Sequence, residues 1–352
     1  MTNVTTIGIL GGGQLGRMLS VAASRLGIKT HIFEPGANPP AGHVSDAVTT
    51  ASYDDHAALT AFAQSVDVIT YEFENIPTSA LDLLETLRPI HPGRQALATS
   101  QDRLTEKNFL GSLGLQTAPF ATVDNAADLD AAIADIGTPA IMKTRTMGYD
   151  GKGQARIMSP QDAAQALIDM AGAPAILEGF VNFSHEVSII GARSADGAVA
   201  CFDPGENVHV DGILRTTTVP AKLTPSQRTD AVLIAARILN ALDYVGVMGV
   251  ELFVTPQGLI VNEIAPRVHN SGHWTQNGCT IDQFEQHIRA VAGWPLGDGS
   301  RHSDVVMENL IGDDMDRLPE LAKTTAALHL YGKADVKAGR KMGHVNHVKP
   351  SK

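Results

Sequence analysis

The segment LIVNEIAPRVHNSGHW, residues 259–274, joins an apolar strand pattern to a dense polar cluster. Glu263 lies among apolar neighbours in what we predict to be a buried strand, where an ionised carboxylate needs a cation, hydrogen bonds or a raised pKa. An isolated strand-end acid is more often part of an ordinary salt bridge. Glu263 is not isolated, however, because Glu251 lies in the equally apolar run 247–254.

The two apolar runs are separated by a turn signal at residues 255–258, which predicts a β-hairpin. Side chains alternate between faces, so an odd loop, such as 256–258 with Thr255 opposite Leu259, places Glu251 across from Glu263. A four-residue loop would put them on opposite faces. Like charges retained across a hairpin favour a divalent cation, and carboxylate oxygens suit magnesium. The sequence thus predicts a metal site at Glu251 and Glu263.

The overall composition excludes several classes of protein. A length of 352 residues predicts two or three domains, and a formal charge of −11 argues against a general nucleic-acid or anionic-membrane surface. Cys201 and Cys279 are far apart, which argues against a disulfide framework or zinc knuckle and fits a reducing compartment. The start lacks signal-peptide features, and no apolar run approaches membrane-spanning length, so we expect a cytoplasmic protein.

The first hundred residues begin with a strand, a glycine turn and a helix. The apolar run 7–10 precedes GGGQLG at 11–16 and a helical pattern from Arg17 to Leu26. The G-x-G-x-x-G spacing offers backbone amides to a phosphate, and Glu34 ends the next strand, so this segment alone indicates a dinucleotide site. The same turn also occurs in sheets that bind no nucleotide, and both interpretations stay open.

Strand and helix patterns continue to alternate up to a break at residues 89–93, which predicts a parallel, doubly wound sheet and a boundary near residue 100. The predicted strands are 29–33, 47–50 and 67–70, and the predicted helices are 54–64 and 78–87. Ligands bind at the carboxyl ends of such strands. Glu72 and Asn75 are therefore either substrate ligands or parts of a solvated loop.

The middle of the chain contains isolated cations and a glycine-rich loop. A predicted helix, 102–113, carries Arg103 and Lys107, which alone indicate nothing because helical cations mostly lie on the surface. Lys143 interrupts an apolar strand pattern and either reaches solvent or meets an anion. The following loop, MGYDGKGQ at 147–154, is typical of a plain hairpin, but together with Lys143 it indicates a phosphate-covering flap.

Further polar residues lie at predicted strand ends and turns. Glu178 and Glu186 could accept hydrogen bonds from ribose hydroxyls, beside strand-edge backbone groups that could pair an adenine. His209 lies near a hairpin-like turn, where a structural histidine is commoner than a catalytic one. His269 and His273 are four residues apart, a spacing that on a helix would present both rings to a zinc ion. The low helix propensity of residues 270–272 argues against a helix there, so we reject a zinc site.

The last part of the chain is rich in strand patterns and begins after the GDGS turn at 297–300. Strands are predicted at 305–310, 326–330 and 345–348. A basic cluster contains Lys333, Lys337, Arg340 and Lys341. This cluster is either a solvated tail or a patch that closes over a substrate phosphate.

These motifs together resemble those of the ATP-grasp ligases, over essentially the whole chain. More narrowly, they resemble the 5-(carboxyamino)imidazole ribonucleotide synthases of purine biosynthesis in four segments, namely GGGQLGRM (11–18), GYDGKGQ (148–154), NEIAPRVHNSGHW (262–274) and YGK (331–333). Val268 departs from the proline of many members, while Arg267 and His269 remain. The resemblance implies an ATP-grasp fold of α/β and α+β class, with a Rossmann-like domain at 1–100, an ATP-grasp domain at 101–298 and a small strand-rich domain at 299–352.

The resemblance also implies a reaction and a set of site residues. Bicarbonate would be joined to the exocyclic amine of 5-aminoimidazole ribonucleotide with ATP, through carboxyphosphate. Magnesium would be bound by Glu251 and Glu263, and the catalytic residues would be Arg267, His269 and Asp150. The residues implied to line ATP are Arg103, Lys143, Gly148, Tyr149, Asp150, Gly151, Lys152, Gly153, Gln154, Glu178, Gly179, Phe180, Val181, Glu186, His209, Asn262 and Glu263. Those implied to contact the aminoimidazole nucleotide are Gln14, Leu15, Glu72, Asn75, Tyr149, Asp150, Arg267, His269, Asn270, Lys333 and Arg340.

Three other functions are compatible with parts of the sequence. A nicotinamide-dependent oxidoreductase would explain the first glycine turn and Glu34 but not the pair Glu251 and Glu263. Formate-dependent glycinamide ribonucleotide transformylation uses a similar three-domain ATP-grasp arrangement. A non-catalytic nucleotide-binding module is the third. We expect small-molecule partners only, with neither nucleic acid nor membrane, and a homodimer.

Overall fold

A computed structural model of the chain describes residues 4–148 and 152–350. It begins with a four-stranded parallel sheet in the order β3-β2-β1-β4, which confirms the predicted doubly wound arrangement. The elements of this part are β1 Thr6–Leu10, α1 Gln14–Arg25, β2 Lys29–Phe33, β3 Ala47–Thr49, α2 His56–Gln64, β4 Val68–Tyr71, α3 Thr78–Glu85 and α4 Arg94–Ser100. The apolar residues of β1 are fully buried, as expected of a central parallel strand.

A smaller antiparallel sheet follows, with strand order β5-β8-β6-β7. Its elements are α5 Arg103–Ser112, β5 Phe120–Val123, α6 Ala126–Ile136, β6 Ala140–Thr144, β7 Gln154–Ile157, α7 Ala163–Asp169 and β8 Ala175–Gly179. β6 and β7 pair with Lys143 opposite Gln154, so the predicted flap connects two adjacent strands. Tyr149, Asp150 and Gly151 of that flap lie outside the described residues.

The rest of the chain forms a nine-stranded sheet in the order β14-β13-β9-β11-β12-β15-β17-β16, with β10 paired to β9. Its elements are β9 His185–Arg193, β10 Val199–Cys201, β11 Gly205–Val210, β12 Ile213–Val219, α8 Pro225–Ala241, β13 Gly246–Thr255, β14 Gly258–Ala265, α9 Thr275–Gly278, α10 Gln283–Val291, β15 Ser303–Ile311, α11 Leu318–Leu321, β16 Ala327–Leu330 and β17 Lys341–Pro350. β15 pairs with β12, so the carboxy-terminal strands extend the sheet that precedes them.

The β13–β14 hairpin confirms the predicted pairing of Glu251 with Glu263, but the predicted loop is wrong. Thr255 pairs with Gly258, which has a φ of 132°, so the loop contains only two residues. That register alone would place Glu251 opposite Asn262. A β-bulge at this point leaves Asn262 as the extra residue and brings Glu263 opposite Glu251.

A shared hydrophobic core connects the first sheet to the large sheet. Leu19 and Ile32 of the amino-terminal part belong to the same buried cluster as Trp274, Phe284 and Met307. Fully burying one such side chain contributes roughly 1.5–3 kcal/mol. Among the described residues, no helix combines the length and the apolar character needed to cross a membrane.

Candidate active site

The two hairpin carboxylates experience opposite electrostatic surroundings. Burial and the nearby charge of Glu263 raise the pKa of Glu251 to about 7. Burial also acts to raise the pKa of Glu263, but Arg103 and Lys143 outweigh it and the net pKa is lowered. Arg103 Nη1 donates to Glu263 Oε2 at 3.2 Å. The bulge thus sets a carboxylate whose pKa is lowered opposite one whose pKa is raised.

Glu186 and His209 adjoin Glu251 on neighbouring strands. Glu251 pairs with Ser188 on β9, and Glu186 of the same strand pairs with Asn207 on β11. His209 Nδ1 lies 3.0 Å from Glu186 Oε2, and Glu186, His209 and Glu251 offer ligand atoms within 4.8 Å of one another. Burial lowers the pKa of His209, but contact with Glu186 and the charge of Glu251 outweigh it and raise the pKa overall. The group can bind either a cation or polar groups of a ligand.

Glu178 lies between two lysines. Lys143 Nζ donates to Glu178 Oε2 at 2.8 Å, and Lys107 Nζ lies 3.1 Å from Glu178 Oε1. The second contact is an ion pair rather than a well-directed hydrogen bond, since Glu178 Oε1 accepts none of acceptable angle from the described residues. Burial acts to raise the pKa of Glu178, but both lysines outweigh it and the pKa is lowered. Its carboxylate is thus engaged by cations rather than directed to solvent.

The two cations of α5, from which the sequence alone indicated nothing, are not surface charges. The side chain of Lys107 is only 2% exposed and that of Arg103 only 13%. Both reach partners that follow far along the chain, Glu178 and Glu263. The sequence contains a weak indication of this burial, because positions 103, 107 and 110 share one helical face and Leu110 is apolar.

The largely polar residues 267–274, which follow β14, pack against the same hairpin. His269 Nδ1 accepts from the Ser271 N–H at 3.4 Å and lies 2.8 Å from Ser271 Oγ, which in turn accepts from Ser188 Oγ at 2.6 Å. The ring proton is therefore on Nε2, which is 3.5 Å from Glu251 Oε1. Burial and the charge of Arg267 hold the pKa of His269 well below its usual value. His269 is thus a neutral donor directed at the carboxylate pair.

Arg267 and Asn270 are held by partners from other segments. Arg267 Nη2 lies 2.9 Å from Glu74 Oε2 in the segment after β4. Asn270 and Asn309 form a reciprocal amide pair, with Asn270 Nδ2 donating to Asn309 Oδ1 at 2.9 Å and Asn309 Nδ2 donating to Asn270 Oδ1 at 2.8 Å. Each predicted side chain is therefore oriented before any ligand arrives.

The glycine turn after β1 is bound by acids of the protein itself. The Gly12 N–H donates to Glu34 Oε2 at 2.7 Å, the Gly13 N–H to Glu72 Oε1 at 2.8 Å and the Gly16 N–H to Glu72 Oε2 at 3.4 Å. Burial raises the pKa of Glu72. The amides that a dinucleotide pyrophosphate would need are already satisfied by carboxylates, which disfavours the dinucleotide interpretation.

One cleft, of about 540 Å³ including solvent at its mouth, brings many of the predicted residues together. Its lining includes Asn75, Arg103, Gly148, Glu263, Arg267 and His269.

Other predicted residues are more dispersed. Leu15 is buried in the core, Phe180 is 55% exposed, and Gln14, Gly153, Gly179 and Val181 are partly buried. Lys152 and Gln154 are exposed on the flap. Lys333 Nζ donates to the Lys341 carbonyl at 2.7 Å, and Arg340 Nη1 to the Asp335 carbonyl at 3.0 Å.

Comparison with known proteins identifies the family of the chain. Three family descriptions match in chain order, the ribonucleotide synthetase preATP-grasp domain at 4–101, the ATP-grasp domain at 108–284 and the phosphoribosylaminoimidazole carboxylase C-terminal domain at 305–352. The N5-carboxyaminoimidazole ribonucleotide synthase of Brucella melitensis is 55% identical over 98% of this chain and 97% of its own. The chain belongs to the N5-carboxyaminoimidazole ribonucleotide synthase family. It is therefore an ATP-grasp ligase.

Solved structures of this synthase family share the whole fold. The Staphylococcus aureus N5-carboxyaminoimidazole synthetase complexed with ADP has a TM-score of 0.93 and 39% identity, covering 98% of this chain and 93% of its own. The Aspergillus clavatus N5-carboxyaminoimidazole synthase, in complex with ADP and 5-aminoimidazole ribonucleotide, has a TM-score of 0.94 and 31% identity. The match covers 100% of this chain and 95% of the Aspergillus chain.

In this synthase, four charged residues at or beside the cleft have no role predicted from the sequence, namely Glu74, Glu106, Lys107 and Arg145. Glu74 binds Arg267, and Arg145 Nη2 lies 2.8 Å from Asp102 Oδ2. Burial and the charge of Glu263 raise the pKa of Glu106 to about 8. Glu106 accepts from the Ile264 N–H at 2.7 Å. Each contact spans a long sequence separation, which local patterns do not reveal.

Proposed function

We propose that this protein catalyses the ATP-dependent carboxylation of 5-aminoimidazole ribonucleotide by bicarbonate, giving 5-(carboxyamino)imidazole ribonucleotide, ADP and phosphate. A bicarbonate oxygen attacks the γ-phosphorus and ADP leaves. The amine nitrogen then attacks the carbon of carboxyphosphate and phosphate leaves, or carboxyphosphate first breaks down to phosphate and carbon dioxide and the amine attacks the carbon dioxide; in both routes the nitrogen loses a proton. The observation that carries this proposal is that Glu263, Arg267 and His269 line one cleft in a chain that belongs to this synthase family.

The nucleotide would bind between the small antiparallel sheet and the hairpin. Lys143 and Arg103 supply positive charge for its phosphates, and the flap from Gly148 to Gln154 would cover them. Residues 178–181, with Glu186 and His209, would contact the base and ribose, and Asn262 lies beside Glu251 with its Nδ2 3.5 Å from Oε2. Support comes from the two buried lysines, whose charge exceeds that of the single Glu178 carboxylate between them.

Magnesium would be held by Glu251 and Glu263. The donor set fits, because both ligands are carboxylates that face each other on paired strands, and carboxylate oxygens suit magnesium. When bound, magnesium would neutralise phosphate charge during transfer. Arg103 keeps Glu263 ionised, so this carboxylate is ready to bind a cation without losing a proton.

Arg267, His269 and Asp150 would act on the reacting groups. The Arg267 guanidinium, oriented by Glu74, would stabilise charge on the transferred phosphoryl group. The His269 Nε2–H would donate to an anionic oxygen of bicarbonate or carboxyphosphate. Asp150 lies outside the described residues, and its assignment rests on the family motif GYDGKGQ.

The aminoimidazole nucleotide would occupy the side of the cleft facing the amino-terminal sheet. Glu72 and Asn75 follow β4, and Asn270 is oriented by Asn309. Lys333 and Arg340 would bind the nucleotide phosphate from the carboxy-terminal segment. Gln14, Leu15 and Tyr149 complete the proposed set, with Leu15 contributing its backbone because its side chain is buried.

The remaining assignments concern organisation. We assign functional units to residues 1–100, 101–298 and 299–352, a homodimeric assembly and a cytoplasmic location. The location is supported by the free thiols of Cys201 and Cys279. The partners would be ATP, bicarbonate and 5-aminoimidazole ribonucleotide, with neither nucleic acid nor membrane.

The test is phosphate release from ATP, with each substrate omitted in turn. We expect release to require both bicarbonate and 5-aminoimidazole ribonucleotide. Release that instead requires formate and glycinamide ribonucleotide would support the transformylase. Nucleotide binding without turnover of any acceptor would support a binding module. Binding of NADH together with no binding of ATP would support an oxidoreductase.

A matched pair of variants checks the site. Glu263→Gln keeps the shape but removes the charge, so we expect turnover to fall at least about a hundredfold. Glu320→Gln makes the same change on an exposed surface residue and should leave turnover unchanged. Equal turnover in both variants would exclude Glu263 from the reaction.

A further inference from the structure

Strand β14 is an edge strand, and three of its outer backbone groups bind segments outside the sheet. The Val261 N–H donates to the Gln116 carbonyl at 2.8 Å. Further along, Glu106 Oε1 accepts from the Ile264 N–H at 2.7 Å, and Lys107 Nζ donates to the Asn262 carbonyl at 3.3 Å. Two consecutive side chains of α5 therefore bind the backbone on both sides of Glu263.

Glu106 and Lys107, which we call the backbone clamp, are almost completely buried. Each is 2% exposed. Burying an ionisable side chain costs free energy unless it is paired, so its retention needs a compensating interaction. The function proposed above assigns neither residue a contact with a substrate or with magnesium, and uses Lys107 only as positive charge beside Glu178. The clamp forms hydrogen bonds to the backbone of β14 where that strand is bulged.

The position of the clamp coincides with the β-bulge. The ladder between β13 and β14 shifts register between Glu251 and Leu252, and Asn262 is the extra residue. A bulge interrupts regular pairing and re-aims side chains. Without an external restraint, the two peptide groups flanking Glu263 could rotate and change the direction of its carboxylate. The clamp restrains one peptide group through its carbonyl and the other through its N–H.

We propose that Glu106 and Lys107 are positioning residues that fix the Asn262–Ile264 backbone and thereby aim the Glu263 carboxylate at magnesium. This inference rests on the proposed function, in which Glu263 binds magnesium with ADP or ATP. Lys107 also contacts Glu178, whose other oxygen binds Lys143. The clamp therefore connects the metal strand to the lysine proposed to bind the phosphates.

Two substitutions at Glu106 separate positioning from charge. Glu106→Gln removes the acid but keeps an oxygen at the same reach, so it can still accept from the Ile264 N–H. Glu106→Asp keeps the acid but shortens the side chain by one methylene and withdraws the acceptor. A role based on charge predicts that Gln is the harmful change, whereas positioning predicts that Asp is.

The readout is magnesium affinity of the ADP complex, measured by calorimetric titration of magnesium into the full-length protein with saturating ADP. For Glu106→Asp we expect a loss of about 10- to 100-fold, as is typical when an outer partner of a metal ligand is removed. For Glu106→Gln we expect affinity within about threefold of wild type. ADP affinity without magnesium should be unchanged in both.

Lys107 provides an independent arm of the test. Lys107→Met removes the donor to the Asn262 carbonyl, and Lys107→Arg retains one. We expect Lys107→Met to weaken magnesium binding about tenfold or more. The fall in the logarithm of magnesium affinity should be at most half as large in Lys107→Arg. Should Lys107→Met fail to fold, the comparison of Glu106→Gln with Glu106→Asp decides alone.

The outcomes distinguish this inference from the proposed function. No magnesium binding by the wild-type ADP complex would overturn the proposed metal site. Magnesium binding by wild type with equal affinity in Glu106→Asp would overturn the positioning role and leave the metal site intact. Greater loss in Glu106→Gln than in Glu106→Asp would likewise overturn it, because charge rather than reach would then matter.

Discussion

His287 makes a pH-dependent contribution to stability that can be calculated from its surroundings. Its side chain on α10 is fully buried, its Nδ1 accepts from the Val247 N–H at 3.0 Å, and its Nε2 lies 2.8 Å from Thr70 Oγ1. Thr70 belongs to β4 of the first sheet and Val247 to β13 of the hairpin. The neutral imidazole thus joins the proposed substrate-binding sheet to the strand that carries Glu251.

Protonation of His287 is strongly disfavoured in the folded protein. Burial, with a smaller effect of nearby His91, lowers the pKa of His287 from 6.5 to about 3. As pH falls through 6.5, the unfolded chain takes up a proton that the folded protein does not. The contribution of His287 to stability is therefore complete above pH 6.5 and is lost progressively as pH falls toward 3. Between pH 7 and pH 5 this loss is about 2 kcal/mol, at roughly 1.36 kcal/mol per pH unit.

The assay is equilibrium unfolding in urea, followed by tryptophan fluorescence at pH 7 and pH 5. We expect the His287→Gln variant to lose about 2 kcal/mol less than wild type over this interval, although it is less stable at pH 7. His56→Gln changes an exposed histidine and should keep the wild-type pH dependence. Equal pH dependence in wild type and His287→Gln would refute the reasoning.

Three further predictions concern the site. Ser271→Ala removes the hydroxyl beside His269 Nδ1 and should lower kcat about 10- to 100-fold, measured by steady-state kinetics. Calorimetry should show a modest fall in melting temperature, because the buried Ser188 hydroxyl loses its acceptor; an unchanged kcat would exclude a role for this orientation. Arg267→Lys keeps the charge but loses the planar fork that binds Glu74, so kcat/KM should fall about 100- to 1,000-fold, and full activity would contradict phosphoryl stabilisation. Lys152→Ala should raise the KM for ATP about tenfold with a smaller effect on kcat, and an unchanged ATP dependence would indicate that the flap is a plain hairpin.

The general architecture was predictable because it follows from local patterns. Alternating apolar runs and helical spacing predicted the parallel sheet, and the strand Lys29–Phe33 begins and ends as expected. The acids Glu251 and Glu263 were identified because buried strands rarely contain carboxylates. Such signals lie within a few residues of each other.

The hairpin loop shows where local reasoning failed. The pairing of Glu251 with Glu263 was predicted from an odd loop, but it arises from a two-residue loop plus a bulge at Asn262. The loop is one residue shorter than predicted and the bulge adds one residue to β14, so the pairing of the two glutamates is still as predicted. A bulge depends on what binds the outer edge of the strand, and here that is helix α5, more than 150 residues earlier in the chain.

Local patterns left the glycine turn and the cations of α5 undecided for the same physical reason. The turn has the spacing of a dinucleotide site, but Glu34 and Glu72 satisfy its amides from positions 22 and 59 residues away. Lys107 resembles a surface cation, yet it is buried against Glu178. Partners that meet only in the folded chain decide whether a polar group is free to bind a ligand.

The most direct test of the central claim is the fate of oxygen from bicarbonate. The protein would be incubated with ATP, 5-aminoimidazole ribonucleotide and freshly dissolved ¹⁸O-labelled bicarbonate, and the released phosphate would be analysed by mass spectrometry. Formation of carboxyphosphate predicts one ¹⁸O atom in each phosphate, because the attacking bicarbonate oxygen stays on phosphorus when the C–O bond breaks. Unlabelled phosphate, formed at the same rate, would contradict the account.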